Sequence, residues 1–112
     1  MAEREARSLV VQPYELRQRF NDLNMTERIR SGEFTARIER STVARPECGQ
    51  PPGTLSQIIH YFDGDMKVAI VHQFLLPDGT IGASGKPDPK MVRQGNTIFK
   101  LRPEEAVLPG ST

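Results

Sequence analysis

Two histidines and two lysines are the side chains of this sequence with the clearest capacity for acid–base chemistry. His60 and His72 are the only histidines, and imidazole exchanges protons near neutral pH. Lys86 and Lys90 lie in a stretch rich in glycine and proline, where a cation could stabilise the charge that develops on a phosphate. A base beside such a cation is the arrangement that a metal-independent ribonuclease requires.

Arg37 and Arg93 complete this hypothesis as the side chains that would bind the phosphate. Arginine suits the role because its planar guanidinium donates parallel hydrogen bonds to an oxyanion. His72 is the first candidate for the base, and His60 takes its place if the core lies on the other face of the sheet. Lys86 and Lys90 would stabilise the transition state and bind phosphate. A small metal-independent endoribonuclease is therefore one hypothesis for the function.

A metal centre or another cofactor is not predicted. A zinc site needs about four ligands, and the one cysteine, Cys48, lies in a loop remote from both histidines. The hairpin that we predict below also places the two histidines on opposite faces of the sheet. We find no motif for a phosphate-binding loop, because Pro87 follows Lys86 where such a motif has serine or threonine.

Composition favours a different class of function. The 112 residues contain 15 Lys and Arg against 14 Asp and Glu, so a globally basic nucleic-acid binder is not indicated. With no convergent cluster of polar residues, we expect a non-catalytic accessory or interaction module that binds a protein partner or itself. Nucleic acid is a further possible ligand. No apolar run approaches the roughly 18 residues of a membrane helix, and no signal peptide is visible, so the expected location is cytoplasmic.

The elements that must position these residues fall into two groups. Pro13 begins a helix in which Leu16, Phe20 and Leu23 form one apolar stripe, and a second short helix over residues 26–30 ends at Gly32. Strands follow, with apolar and polar residues alternating. We predict them over residues 34–38, 54–62, 66–76, 80–84, 91–93 and 97–102. The fold class is α+β, with one or two N-terminal helices packed on an antiparallel meander of four to six strands.

Residues 1–112 should form one domain, with frayed tails over residues 1–8 and 109–112. Asp63-Gly64 indicates a two-residue hairpin loop that pairs Tyr61 with Met66. The face with Ile59, Tyr61 and His72 should then be the core. The strands over residues 34–38 and 97–102 are the expected edges, where a second copy could pair. The loop over residues 79–90 is the favoured binding segment, with Lys86 and Lys90 exposed and Ile81 buried.

Overall fold

A computed structural model describes residues 6–82 and 86–105 of the chain. Six strands form one sheet in the order β1-β6-β5-β4-β3-β2. Neighbouring strands are antiparallel except β1, which runs parallel to β6. The strands are β1 (Arg7–Val10), β2 (Thr35–Val43), β3 (Leu55–Asp63), β4 (Met66–Leu75), β5 (Asp88–Gln94) and β6 (Thr97–Lys100).

The two helices form where the sequence predicts them. Helix α1 spans Pro13–Asp22, and proline suits its first turn because that N–H would lack a partner in any case. Helix α2 spans Met25–Arg30. Asn24, between the helices, adopts a left-handed conformation with φ of 56°, which allows the chain to turn sharply from one helix into the next. Two short 3₁₀ turns, Pro46–Cys48 and Pro103–Glu105, lie in the loops.

The core lies between the helices and one face of the sheet. Leu16 and Phe20 of α1 and Met25 of α2 are at most 2% exposed. Leu23, the third residue of the predicted stripe, is half-buried against the same cluster. The sheet contributes Ile59, Tyr61, Val68, Ala69, Val71, Val92, Phe99 and Leu101. This arrangement confirms the α+β prediction, including helices that cover one face of a largely antiparallel sheet.

Strand β1 is the element that the sequence does not predict. Its first two residues, Arg7 and Ser8, fall in the segment assigned to a frayed tail, whereas residues 1–5 and 109–112 lie outside the described residues. The backbone N–H groups of Arg7 and Val11 donate to the carbonyl oxygens of Asn96 and Lys100, each over 2.9 Å. β1 therefore covers the outer edge of β6, which places β6 inside the sheet.

The predicted register of the β3–β4 hairpin is wrong. Asp63 pairs with Met66, so Gly64 and Asp65 form the loop, and Gly64 supplies the positive φ of 61°. A bulge between Tyr61 and Phe62 then shifts the pairing again, and Tyr61 faces Ala69. In β4 the core side chains are consequently Ala69 and Val71 with the bulge residue Val68, rather than the predicted Ile70 and His72.

The segment after β4 also differs from its prediction. Among the described residues of the strand predicted over 80–84, pairing is limited to one bridge between Leu75 and Ile81. Residues 83–85 lie outside the part that the structure describes. The last three residues of the loop predicted over residues 79–90 belong to β5 instead. Ile81 is half-buried rather than buried, and Lys90 is only 11% exposed in its side chain, against the prediction that it is exposed.

Candidate functional site

The face of the sheet opposite the helices gathers most of the predicted site residues, and we call it the open face. Cross-strand pairs define it, because paired residues point to the same side of a sheet. One row of pairs crosses five strands and consists of Arg37, His60, Ile70, Met91 and Lys100. The next row consists of Arg40, Ile58, His72 and Asp88.

His60 and His72 therefore lie on the same face, which corrects the prediction that they lie on opposite faces. His60 pairs with Ile70, two residues before His72 on β4, so the histidines are diagonal neighbours. The Cα atoms of such neighbours are roughly 7–8 Å apart. The reason for the difference is the bulge in β3–β4, since a shift of one residue moves every later side chain of a strand to the other face.

His72 is held in a buried polar contact. Its Nε2 atom lies 2.8 Å from the Oγ of Ser56, and both residues are at most 4% exposed. The ring of Phe74 packs edge-on against the imidazole, with 4.8 Å between ring centroids. Burial lowers the pKa of His72, and Lys90 lowers it further while Asp88 opposes the shift. The imidazole is thus neutral at pH 7, and its Nε2 is already engaged.

Lys90 lies next to this contact. Its Nζ is 3.0 Å from Oδ2 of Asp88, the residue that pairs with His72 across β4 and β5. Lys90 is the extra residue of a bulge in β5, at the shift in register between Ile70 and Val71. The lysine therefore has a carboxylate partner, and its charge is compensated within the site.

His60 belongs to a second group that includes part of β2. Arg37 forms an ion pair with Glu39, and Oε1 of Glu39 is 3.7 Å from Nδ1 of His60. That nitrogen is buried and has no hydrogen-bond partner among the described residues. Burial lowers the pKa of His60, as do Lys67 and Arg37, while Glu39 raises it. His60 therefore presents a neutral imidazole between cations.

Arg93 and Lys67 line a shallow groove at one end of the open face. Met91 and Ile98 form its apolar floor, and Asn96 lies at the side. Arg93 donates to the carbonyl oxygen of Gly95 over 2.9 Å and to Oδ1 of Asn96 over 3.0 Å. Its guanidinium is consequently fixed by the β5–β6 turn, and no carboxylate among the described residues forms an ion pair with it.

Lys86 is the one candidate that the structure places elsewhere. It is exposed and lines a cavity of about 140 Å³ on the helix side, between α1, α2 and the start of β5. Arg17, Phe20 and Thr26 also line this cavity. Lys86 and Lys90 are thus separated, and the loop over residues 79–90 does not present them as one binding pair.

The part of the site that sequence reasoning misjudges is the edge strand β2. The alternation of Phe34, Ala36 and Ile38 predicts a half-buried strand, yet every residue of Thr35–Val43 is exposed. The main contact between the helices and the sheet is that of α1 with β5, and the apolar residues of β2 remain exposed. The signal that could indicate this is the density of charge, with Arg37, Glu39 and Arg40 in one short strand.

Among residues 6–82 and 86–105, no three His, Cys, Asp or Glu side chains come close enough together to hold a metal ion. In the same ranges no helix has the length and apolar character needed to cross a membrane. Comparison with known proteins gives no matching family model, no similar curated protein and no matching solved structure.

Proposed function

We propose that the protein is a non-catalytic interaction module that self-associates by pairing the β2 strands of two copies. The observation that carries this proposal is the exposed edge itself. β2 is nine residues long, lies at the end of the strand order and is exposed at every position. Its outer N–H and C=O groups form a template on which another strand can pair.

The same edge is the better of the two that the sequence suggests. The strand predicted over residues 97–102 corresponds to β6, which lies between β5 and β1. The opposite edge is now β1, a strand of four residues. β2 offers more than twice that length and contains neither proline nor lysine. The features of protected edge strands that it does have are its charged side chains and a bulge at Glu39.

A second copy fits this edge because β2 is complementary to itself. Antiparallel pairing of two β2 strands about Ile38 places Arg37 of each copy opposite Glu39 of the other. Opposite charges at facing positions stabilise a strand pair. Ile38 would meet its own counterpart at the centre, and it is 57% exposed in the single chain. Pairing would therefore bury an exposed apolar side chain and exchange the Arg37–Glu39 contact within each chain for two contacts between the chains.

Sedimentation velocity over a range of protein concentrations tests the proposal. The unchanged chain should shift from monomer to dimer as its concentration rises. Arg37→Glu leaves two carboxylates at the facing positions and Glu39→Arg leaves two cations, so each variant alone should remain monomeric. An equimolar mixture of the two variants should dimerise, because each then meets the opposite charge in its partner.

The mixture separates pairing between copies from the Arg37–Glu39 contact within one chain, which neither variant can form. Tyr14→Ser, at an exposed residue of α1, is the matched control and should dimerise like the unchanged chain. A monomer at all concentrations contradicts the proposal. Dimers that persist in both single variants would show that association uses a different surface.

A metal-independent endoribonuclease is the second candidate, and His60 is the residue that favours it. Its neutral imidazole lies beside Arg37 and Lys67, so a base and two cations are close together. RNA cleavage in the presence of a chelator, lost in His60→Gln and retained in Ser56→Ala, would support this function. Full activity in His60→Gln would exclude His60 as the base.

A further inference from the structure

The open face carries more positive than negative charge. Register places five cations on it, namely Arg37, Arg40, Lys67, Arg93 and Lys100. The carboxylates that lie with them are Glu39 and Asp88, which are engaged by Arg37 and by Lys90, and Asp65, which lines the groove beside Lys67 and Arg93. In the described part of the chain, Arg40, Lys67, Arg93 and Lys100 form no ion pair.

The helices show the opposite pattern. Arg19, Arg28 and Arg30 each pair with a glutamate of the helices or of the residues just after them, over 2.6 to 3.2 Å. With a net charge of only +1 for the whole chain, the unpaired cations of the open face produce a local positive surface on a nearly neutral protein. Such a surface attracts polyanions even where the overall charge does not.

Aromatic and apolar groups lie between these cations. Phe62 is half-buried on the open face, pairs with Lys67 across β3 and β4, and has the Arg37 guanidinium 5.0 Å from its ring centre. Met91 and Ile98 floor the groove between Lys67 and Arg93. Strands of a sheet lie about 4.8 Å apart, so the row from Arg37 to Lys100 extends roughly 19 Å across the face.

We propose that the open face binds single-stranded nucleic acid, with Lys67, Arg93 and Lys100 contacting phosphates and Phe62 stacking on a base. Charge complementarity selects a polyanion, and a half-buried aromatic ring between cations selects unpaired bases, whose faces are free to stack. A duplex would hide those faces and offer only its backbone. This proposal is independent of self-association, because it uses the face of β3 to β6 and not the outer edge of β2.

Fluorescence anisotropy with labelled oligonucleotides of about twelve nucleotides tests the proposal. Single-stranded RNA and DNA of mixed sequence and the corresponding duplex are titrated with the full chain at several salt concentrations. We expect both single strands to bind more tightly than the duplex. Lys67→Ala with Lys100→Ala should weaken binding at least tenfold and reduce the slope of log affinity against log salt by about 1.4, since each phosphate contact in a single strand contributes about 0.7.

The matched control removes two cations from the other side of the protein. Arg7→Ala with Arg17→Ala changes the net charge equally and should bind within twofold of the unchanged chain, because both residues lie on the helix side. Phe62→Leu keeps an apolar side chain but removes the ring. It should weaken binding about fivefold and leave the salt slope unchanged, since base stacking carries no counterion release.

Three results would overturn the proposal. The first is no binding by the unchanged chain at low salt. The second is equal weakening in the control and open-face variants, which would indicate attraction to charge alone. The third is displacement of the oligonucleotide by an equal charge concentration of polyglutamate, which would show that the face binds acidic peptides instead. Urea unfolding of each variant verifies that the fold is retained.

Discussion

The Oγ of Ser56 and the Nε2 of His72 are joined over 2.8 Å between two adjacent strands of the sheet. Ser56 pairs with Phe74, two residues beyond His72, so the contact runs diagonally between β3 and β4. Both side chains are almost fully buried on the open face, without a helix above them. The bond therefore satisfies two polar groups that would otherwise be desolvated without a partner, and it fixes the imidazole below the surface.

Removal of the serine hydroxyl should destabilise the fold. In Ser56→Ala, Nε2 of His72 loses its partner while it remains buried, which costs about 1–3 kcal/mol in the free energy of unfolding. Urea unfolding measures the change. Ser31→Ala is the control, because its hydroxyl donates to the carbonyl of Arg28 in an exposed position and should matter by less than about 0.5 kcal/mol. Equal effects in the two variants would show that the Ser56–His72 contact contributes no more than a surface hydrogen bond.

The two histidines should make the folded protein less stable as the pH falls. Burial lowers the pKa of both, so each has a lower pKa in the folded chain than the value of about 6.5 expected when unfolded. As the pH falls below that value, the unfolded chain takes up protons first. The free energy of unfolding should therefore be highest above about pH 7 and decrease as the pH falls towards the folded pKa values.

Urea unfolding at pH 7.5 and at pH 5.5 measures this dependence. Glu33 and Asp78 have pKa values lowered by their hydrogen bonds to Arg28 and Thr80, and they lose their contribution only at more acidic pH. The chosen window therefore isolates the histidines. His72→Asn should lose less stability between the two conditions than the unchanged chain does. A protein that becomes more stable on acidification would contradict the assignment.

The sequence predicts the helices and the core best, since these depend on local patterns. Pro13 marks the start of α1, and the spacing of Leu16 and Phe20 predicts which side packs on the sheet; both are buried. Phe99 and Leu101 alternate with polar residues in the strand predicted over residues 97–102, and both are buried. Each of these predictions requires only the spacing of apolar residues along one helix or strand, and no information about the elements that pack against it.

The open face could not be predicted because it depends on register. Asp63-Gly64-Asp65 fits a two-residue loop in two ways, and the structure adopts the one with Gly64 and Asp65 in the loop. The bulge that follows gives Val68 no separate partner in β3, and no local sequence signal indicates it. The bulge determines whether His72 faces the core or joins His60, because the change of loop moves the pairing by two residues and leaves the faces as predicted. The sequence does not predict β1, because its four exposed residues have no alternating apolar pattern and the strand is defined by its pairing with β6.

Truncation in the core should have a larger effect than truncation on the exposed side of the same helix. Phe20 is 2% exposed and packs with Leu16 and Met25 against the sheet, so Phe20→Ala should cost about 3–5 kcal/mol in the free energy of unfolding. Tyr14→Ala, at a residue that is 66% exposed, should cost less than about 0.5 kcal/mol. Similar costs in chemical denaturation would place α1 off the sheet and contradict the packing described above.

Lys86 and Lys90, which the sequence places in one binding loop, should respond differently to substitution by alanine. The aliphatic stem of Lys90 is largely buried, since the side chain is only 11% exposed. Its Nζ binds Asp88 over 3.0 Å beside the buried His72. Lys90→Ala should therefore cost about 1 kcal/mol, because packing of the stem is lost together with the ion pair. Lys86 is exposed, and Lys86→Ala should change the free energy of unfolding by less than about 0.5 kcal/mol. Thermal and urea unfolding of both variants distinguish these outcomes. If Lys86→Ala lowers the free energy of unfolding more than Lys90→Ala does, the packing of Lys86 at the cavity beside α1 and α2 stabilises the fold more than the Lys90–Asp88 ion pair does.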